Sequence, residues 1–156
     1  NNIFYYKILV GVYMGKIYDE LLKFKNKYHG GIGWRLKSHS NCLEEYIDSD
    51  EEIKYVFYGQ KNDSIAELFN TFVVVLTSKR LLLGHKGLLF GSFMYTITPD
   101  LYNDMEIYKG LIWGKIIIDT VKEEVILTNL PKNSLDDIET NISNFMMNAK
   151  KDYKDE

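Results

Sequence analysis

The sequence predicts a mainly β fold of the α+β class, in which seven antiparallel strands close into a small barrel that a C-terminal helix caps. Between residues 53 and 128, short runs of apolar residues, several alternating with polar ones, are separated by turn-forming residues, as in strands joined by hairpins. After residue 134 the apolar residues recur every three or four positions, which indicates a helix. The aromatic share of 14% suits side chains that pack across neighbouring strands.

The predicted strands follow one another through polar connections. The longest connection, from Gly59 to Thr71, joins the first two strands and includes a predicted helical turn at 64–69. Pro99 follows the fourth strand and marks a strand end or edge, because proline cannot donate to a strand ladder. The predicted strands are Ile53–Tyr58, Phe72–Leu76, Leu81–His85, Phe93–Ile97, Met105–Ile107, Trp113–Ile118 and Val125–Thr128.

Two helices are predicted within the domain. The C-terminal helix opens at Ser134 with a start that resembles a capping box and has acids in its first turn. Its apolar stripe is predicted to lie on the sheet and comprises Leu135, Ile138, Ile142, Phe145, Met146 and Ala149. A short helix before the first strand is predicted to be capped by Ser40 or Asn41 and to run to Tyr46.

Residues 1–40 are predicted to form a basic extension, since they contain seven Lys and Arg against two acids while the rest of the chain is acidic. The segment Met14–Tyr28 has the spacing of an amphipathic helix, and Gly30–Gly33 ends any regular element after it. The helix docks on the acidic body of its own chain, associates with a second copy of itself, or lays its stripe on an anionic membrane surface with Lys16, Lys23 and Lys27 as the contacting cations.

The first and last segments of the chain are interpreted from their length and their amino-acid composition. The apolar run Ile3–Met14 is shorter than a membrane span, contains Lys7 and lacks a signal-peptide cleavage site, so a buried strand is predicted. The tail Lys150–Glu156 is charged and is given no role. A single cysteine, Cys42, excludes an internal disulfide and predicts a cytoplasmic protein, either free or peripheral at the inner membrane surface.

No pattern of residues predicts catalysis, a cofactor, a metal site or nucleic-acid binding. His39 and Cys42 have the spacing of a helical face, but a structural zinc site needs about four such ligands. The acidic run Asp48–Glu52 lacks the glycine of an EF-hand and is interpreted as a solvated turn. Lys79, Arg80 and Lys86 form a basic grouping near hairpin ends, which is interpreted as solubility charges or, alternatively, as a contact for an anion or a partner.

The segment Leu76-Thr-Ser-Lys-Arg-Leu-Leu82 resembles the leucine–threonine–polar–lysine–arginine–leucine signature of bacterial pleckstrin homology (PH) domains, in particular of their YokE-like branch. The resemblance covers about residues 41–149, predicted as the PH-like domain, and includes Leu43–Tyr46 before the first strand and Gly110–Gly114 before the sixth. It implies a PH-like barrel with a C-terminal helix and an N-terminal helical extension outside it.

The resemblance also implies a non-catalytic interaction module, in which the sheet is a scaffold and the loops or an open edge contact a protein, a membrane or another copy of the chain, and a protein partner or self-association is the function predicted here. In eukaryotic relatives that bind inositol phosphates, several cations in the first interstrand loop replace the hydration of the phosphate. Here that loop offers only Lys61, against Asp63 and Glu67, so no phosphoinositide site is predicted there. The alternative function is a membrane-surface adaptor that uses the basic N-terminal segment.

Overall fold

The computed structural model describes residues 15–61 and 70–152. Within them, two helices precede seven strands, and a 3-10 turn and a long helix follow. The predicted strand at residues 3–14 and the predicted helical turn at 64–69 lie outside the described residues. The helices are α1 (Lys16–Lys27), α2 (Leu36–Glu44) and α3 (Leu135–Asp152), and the 3-10 turn is Lys132–Ser134. The strands are β1 (Ile53–Lys61), β2 (Thr71–Thr77), β3 (Leu81–Lys86), β4 (Ser92–Ile97), β5 (Tyr102–Lys109), β6 (Trp113–Thr120) and β7 (Glu124–Pro131).

The strands form one antiparallel sheet in the order β4-β3-β2-β1-β7-β6-β5. Four strands are joined to the other three through a short pairing, in which Gln60 lies opposite Thr128 and Lys61 opposite Leu127. The sheet curls into a half-barrel around a core of aliphatic side chains, and β4 and β5 are the two edges among the described strands. The predicted class, strand number and C-terminal helix are confirmed.

A second layer covers β1 and β2, so the simple alternation of buried and exposed residues fails there. All seven residues of β2 are buried, because the barrel core covers one face and α2 lies on the other. α1 packs on β1, where Ile17, Leu21 and Phe24 join the same apolar cluster as the strands. The N-terminal helix is therefore docked on its own domain, which was one of the three alternatives.

The start of α2 differs from the prediction. The helix begins at Leu36, after Arg35 in a left-handed conformation (φ 52°), and its bounds cross the predicted boundary at residue 40. Ser40 and Asn41, predicted as caps, lie inside it. The sequence hid this start because the buried face includes His39 and Ser40, both fully buried, which break the apolar period.

Two contacts fix the helices on the sheet. Gly84 permits the close approach of α2 to β3, since a Cβ atom there would lie 2.6 Å from Cγ of Leu43. At the start of α3, Asp137 accepts hydrogen bonds from the hydroxyls of Tyr28 (2.8 Å) and Tyr55 (3.0 Å). Burial acts to raise the pKa of Asp137, but these hydrogen bonds outweigh it and hold the pKa below its usual value.

The docking of α1 is testable by truncating its central buried residue. Leu21→Ala is expected to lower the free energy of unfolding by about 2–5 kcal/mol, because the cavity it leaves lies between the helix and β1. Lys25→Ala, on the exposed side of the same helix, is the matched control and should unfold like the wild type. Equal stability of the two variants in urea denaturation would show that α1 is not docked.

Candidate functional site

The turn between β2 and β3 contains the family-like motif, and Thr77 organises it. The Thr77 hydroxyl accepts hydrogen bonds from the backbone N–H groups of Lys79 and Arg80, both at 3.1 Å, and donates to Oε1 of Glu51 at 2.5 Å. A side-chain oxygen that satisfies the backbone of its own turn stabilises that turn. The threonine of the motif therefore has a structural role.

Arg80 forms an ion pair with Glu51 in which the carboxylate is shielded from solvent. Nε and one terminal nitrogen of Arg80 each lie 3.0 Å from an oxygen of Glu51, whose side chain is fully buried. Burial acts to raise the pKa of Glu51, but hydrogen bonds from Arg80 and Thr77 hold it below its usual value. Arg80 also donates to the carbonyl of Tyr46 at 2.9 Å, so this cation joins the acidic turn to the β2–β3 turn.

Lys79 is paired as well, but at the surface. Its Nζ lies 2.7 Å from Asp50 and 3.9 Å from Asp48, and all three side chains are largely exposed.

The prediction that the acidic run Asp48–Glu52 is a solvated turn was wrong for Glu51, which is buried and paired with Arg80. The missed signal was charge complementarity, since an acidic turn and a basic turn occur in the same chain and attract each other.

Lys86 does not join Lys79 and Arg80. It ends β3, whereas the other two precede the start of that strand, so they lie at opposite ends of β3. The structure therefore brings together two of the three predicted contact cations, and both of these already have acidic partners. A contact of Lys79, Arg80 and Lys86 with an anion or a partner stays a prediction.

A cleft of about 470 Å³ opens beside the β2–β3 turn. It lies where the end of β4 and the start of β5 face the last turns of α3. Its walls combine apolar surface from Pro99, Phe145 and Ala149 with polar groups from both turns. The remaining lining residues are Asp48, Ser78, Lys79, Arg80, Thr98, Asp100 and Asp152. From the sequence, Phe145 and Ala149 were predicted only as part of the apolar stripe of the C-terminal helix. The segment that faces them across the cleft, around Pro99, lies far away in the sequence.

His39 and Cys42 occupy the buried side of α2. The His39 ring stacks on His85 at a centroid distance of 4.6 Å, and its Nδ1 accepts a hydrogen bond from the backbone N–H of Lys86 at 2.8 Å. Burial, and then the neighbouring His85, lowers the pKa of His39 to about 4, so its ring is neutral. Burial raises the pKa of Cys42, whose Sγ lies 3.0 Å from the carbonyl of His39. No group of three or more metal-binding side chains occurs in residues 15–61 and 70–152.

The lysines predicted to contact a membrane lie on the outer side of α1. Lys23 pairs with Glu20 at 2.7 Å and Lys27 with Asp137 at 3.4 Å, while Lys16 is exposed at the start of the helix. The apolar stripe that would accompany them is buried against β1. A membrane contact through Lys16, Lys23 and Lys27 stays a prediction, but it would be made without that stripe. Among the helices described, none is long and apolar enough to cross a membrane.

A curled seven-stranded antiparallel sheet followed by a C-terminal helix is the architecture of a PH-like domain. The chain belongs to the bacterial PH domain family, whose model matches residues 47–144. The match does not resolve branches of the family, so the YokE-like branch stays a prediction.

The solved structures similar to this chain include two from Shewanella species. One is a DUF1696-family protein with a pleckstrin homology domain from Shewanella loihica PV-4, at 14% identity and a TM-score of 0.45, with 70% of this chain and 87% of the other covered. The second is a pleckstrin homology domain from Shewanella amazonensis SB2B, at 16% identity and a TM-score of 0.41, with 67% and 78% covered. No curated protein matches the chain.

Proposed function

We propose that this chain is a non-catalytic interaction module that holds an extended segment of a protein partner at the open side of its sheet. The observation that carries the proposal is the position of the cleft, which lies beside α3 where the edge strand β4 ends and the edge strand β5 begins. Edge strands present unpaired backbone donors and acceptors that an added strand satisfies. The partner is bound by contact, and no turnover is involved.

The walls of the cleft favour a peptide over a small anion. Lys79 and Arg80 are the basic groups in it, and both are neutralised by Asp48, Asp50 and Glu51. Two further acids, Asp100 and Asp152, line the same space. An anion therefore meets no net positive charge there, whereas an uncharged side chain of a peptide packs on the apolar wall.

The experiment selects peptides from a random displayed library on the immobilised full chain and measures their affinity by fluorescence anisotropy. Ala149→Arg fills the cleft and is expected to weaken binding by about tenfold or more. Met147→Arg is the matched control, because it adds the same charge to an exposed position of the same helix and should change affinity by less than about twofold. Selected peptides that bind both variants alike would place the binding site elsewhere and contradict the proposal.

Self-association is a second way to cover the same open side. The exposed edge of β4 favours it, since the solvent-facing part of that strand includes Phe93, which is 61% exposed. Sedimentation velocity decides between the two: a stable oligomer that Ala149→Arg disrupts, and that excludes every selected peptide, would favour self-association over partner binding.

A further inference from the structure

The loop between β3 and β4 displays three consecutive large apolar residues to solvent. Leu88, Leu89 and Phe90 are 68%, 81% and 90% exposed, and we call these three residues the apolar tip. The backbone N–H of Gly87 donates to the carbonyl of Gly91 at 3.1 Å, which closes the loop and leaves the tip projecting beyond the strands. Turns are ordinarily built from small and polar residues, so a tip of this composition indicates a surface that is covered in use.

More apolar surface continues from the tip toward α2. Trp34 and Leu88 share the lining of one cavity, with Arg35 and His85 between the loop and the helix. Trp34 is 40% exposed and Phe93, at the start of β4, is 61% exposed. The apolar patch therefore combines a projecting aliphatic and aromatic tip with further aromatic rings behind it. In membrane-bound proteins, apolar side chains enter the acyl region and aromatic rings lie at the level of the headgroups.

Among the described residues, the charges around the tip are all positive. Arg35 donates to the carbonyls of Lys86 (3.2 Å) and Gly87 (3.4 Å) and so sits at the base of the loop. Lys86 ends β3, and Lys37 lies in the first turn of α2. The two described segments nearest the tip, residues 29–43 and 70–99, contain no Asp or Glu. Among the ion pairs of the described residues, none involves Arg35, Lys37 or Lys86.

The loop between β5 and β6 offers the comparison within the same chain. Leu111 and Ile112 are 93% and 66% exposed, so its tip is as apolar as the first. However, Lys109 beside it is already paired with Asp136 at 2.7 Å. Among the described residues, Arg35, Lys37 and Lys86 beside the β3–β4 loop have no acidic partner, whereas Lys109 at the β5–β6 loop has one.

From this combination we propose that the apolar tip inserts into a bilayer that contains anionic phospholipid, while Arg35, Lys37 and Lys86 contact the headgroups. Burial of the exposed apolar side chains in the bilayer favours insertion, and the cations attract the domain to an anionic surface. The tip lies at the end of β3 opposite to the β2–β3 turn that lines the peptide cleft, so this membrane contact is separate from the proposed partner site.

Co-sedimentation of the full chain with vesicles tests the proposal, using phosphatidylcholine mixed with phosphatidylglycerol and phosphatidylcholine alone. We expect binding to the mixed vesicles, weaker binding to the neutral ones, and a decrease as salt is raised. The double variant Leu89→Glu and Phe90→Glu should lower binding by about tenfold or more, whereas Leu111→Glu with Ile112→Glu should stay close to wild type. Equal loss in both, or no binding to mixed vesicles by the wild type, would overturn the proposal.

A second pair of variants separates the tip from the outer side of α1. Lys37→Glu with Lys86→Glu should weaken binding to the mixed vesicles by about tenfold, while Lys16→Glu with Lys23→Glu should leave most of it. The reverse result would assign the membrane contact to α1 and would overturn the proposal. Thermal unfolding of each variant shows that it is folded, and all of these positions are solvent-exposed.

Tryptophan fluorescence distinguishes insertion of the tip from adsorption by charge alone. Phe90→Trp, made in a chain that also has Trp34→Phe and Trp113→Phe, places one tryptophan at the tip. Its emission should shift to shorter wavelength when mixed vesicles are added, because the indole leaves water for the acyl region. Vesicle binding without this shift would mean that the chain adsorbs electrostatically and that the tip does not insert.

Discussion

Replacing Arg80 with Met is expected to lower the free energy of unfolding by about 3 kcal/mol, the lower end of the cost of removing one partner of a buried ion pair. The substitution leaves the Glu51 carboxylate buried without its cation, and the Thr77 hydroxyl and the Asp48 N–H are then its remaining donors. The acidic turn also loses its hydrogen bond from Arg80 to the carbonyl of Tyr46. Urea denaturation of the wild type and the variant at neutral pH measures the difference.

Lys79→Met is the matched control, because it removes the neighbouring cation of the same turn. The ion pairs of Lys79 are exposed, so this variant should remain close to the wild type. Adding Glu51→Leu to Arg80→Met should recover much of the lost stability, since the uncompensated buried charge is removed. If Arg80→Met costs no more than Lys79→Met, the structural role assigned to Arg80 is wrong.

Acid should destabilise the fold through His39, whose pKa in the folded chain is about 4 against 6.5 in the unfolded chain. The folded state disfavours the protonated ring, because it is buried and its Nδ1 accepts from the N–H of Lys86. The stability that this neutral ring contributes is fully present above pH 6.5 and is lost as the pH falls toward 4. The loss attributable to His39 should be about 3 kcal/mol at pH 4.

His39→Asn isolates this effect, since asparagine offers an acceptor near Nδ1 and does not titrate. The variant should be the less stable protein at pH 7, and the gap to the wild type should narrow or reverse by pH 4. The comparison with the variant cancels the carboxylates, which titrate in the same range in both proteins. A His39 imidazole that titrates near 6.5 by NMR, or a gap that does not change with pH, would contradict the prediction.

The strand pattern was predictable because it depends on local alternation and turn residues, but the second layer was not. In β2 every residue is buried, and no short-range pattern states that α2 covers its outer face. The same tertiary cause concealed the start of α2, where His39 and Ser40 belong to the buried side. β1 is longer than predicted for a similar reason, since its last residues, Gly59 to Lys61, pair with β2 and β7 and therefore continue the strand.

The candidate sites were predictable only in part. The turn containing Lys79 and Arg80 was located correctly in the sequence, but its electrostatic partner lies almost thirty residues earlier, so the pairing with Glu51 depends on the fold. The apolar tip of the β3–β4 loop was not recognised, because consecutive leucines and phenylalanine in a sequence ordinarily indicate core. Their exposure follows from the register of β3 with β4, in which Lys86 pairs with Ser92 and leaves the five residues between them as loop.

The most direct test of the proposed interaction module is amide chemical-shift mapping of the full chain with a peptide selected from the random library. The account predicts that the shifts concentrate on the β2–β3 turn, the connection from β4 to β5 and the end of α3, which together line the cleft. Shifts that concentrate on any other surface, or a chain that selects no peptide, would contradict it.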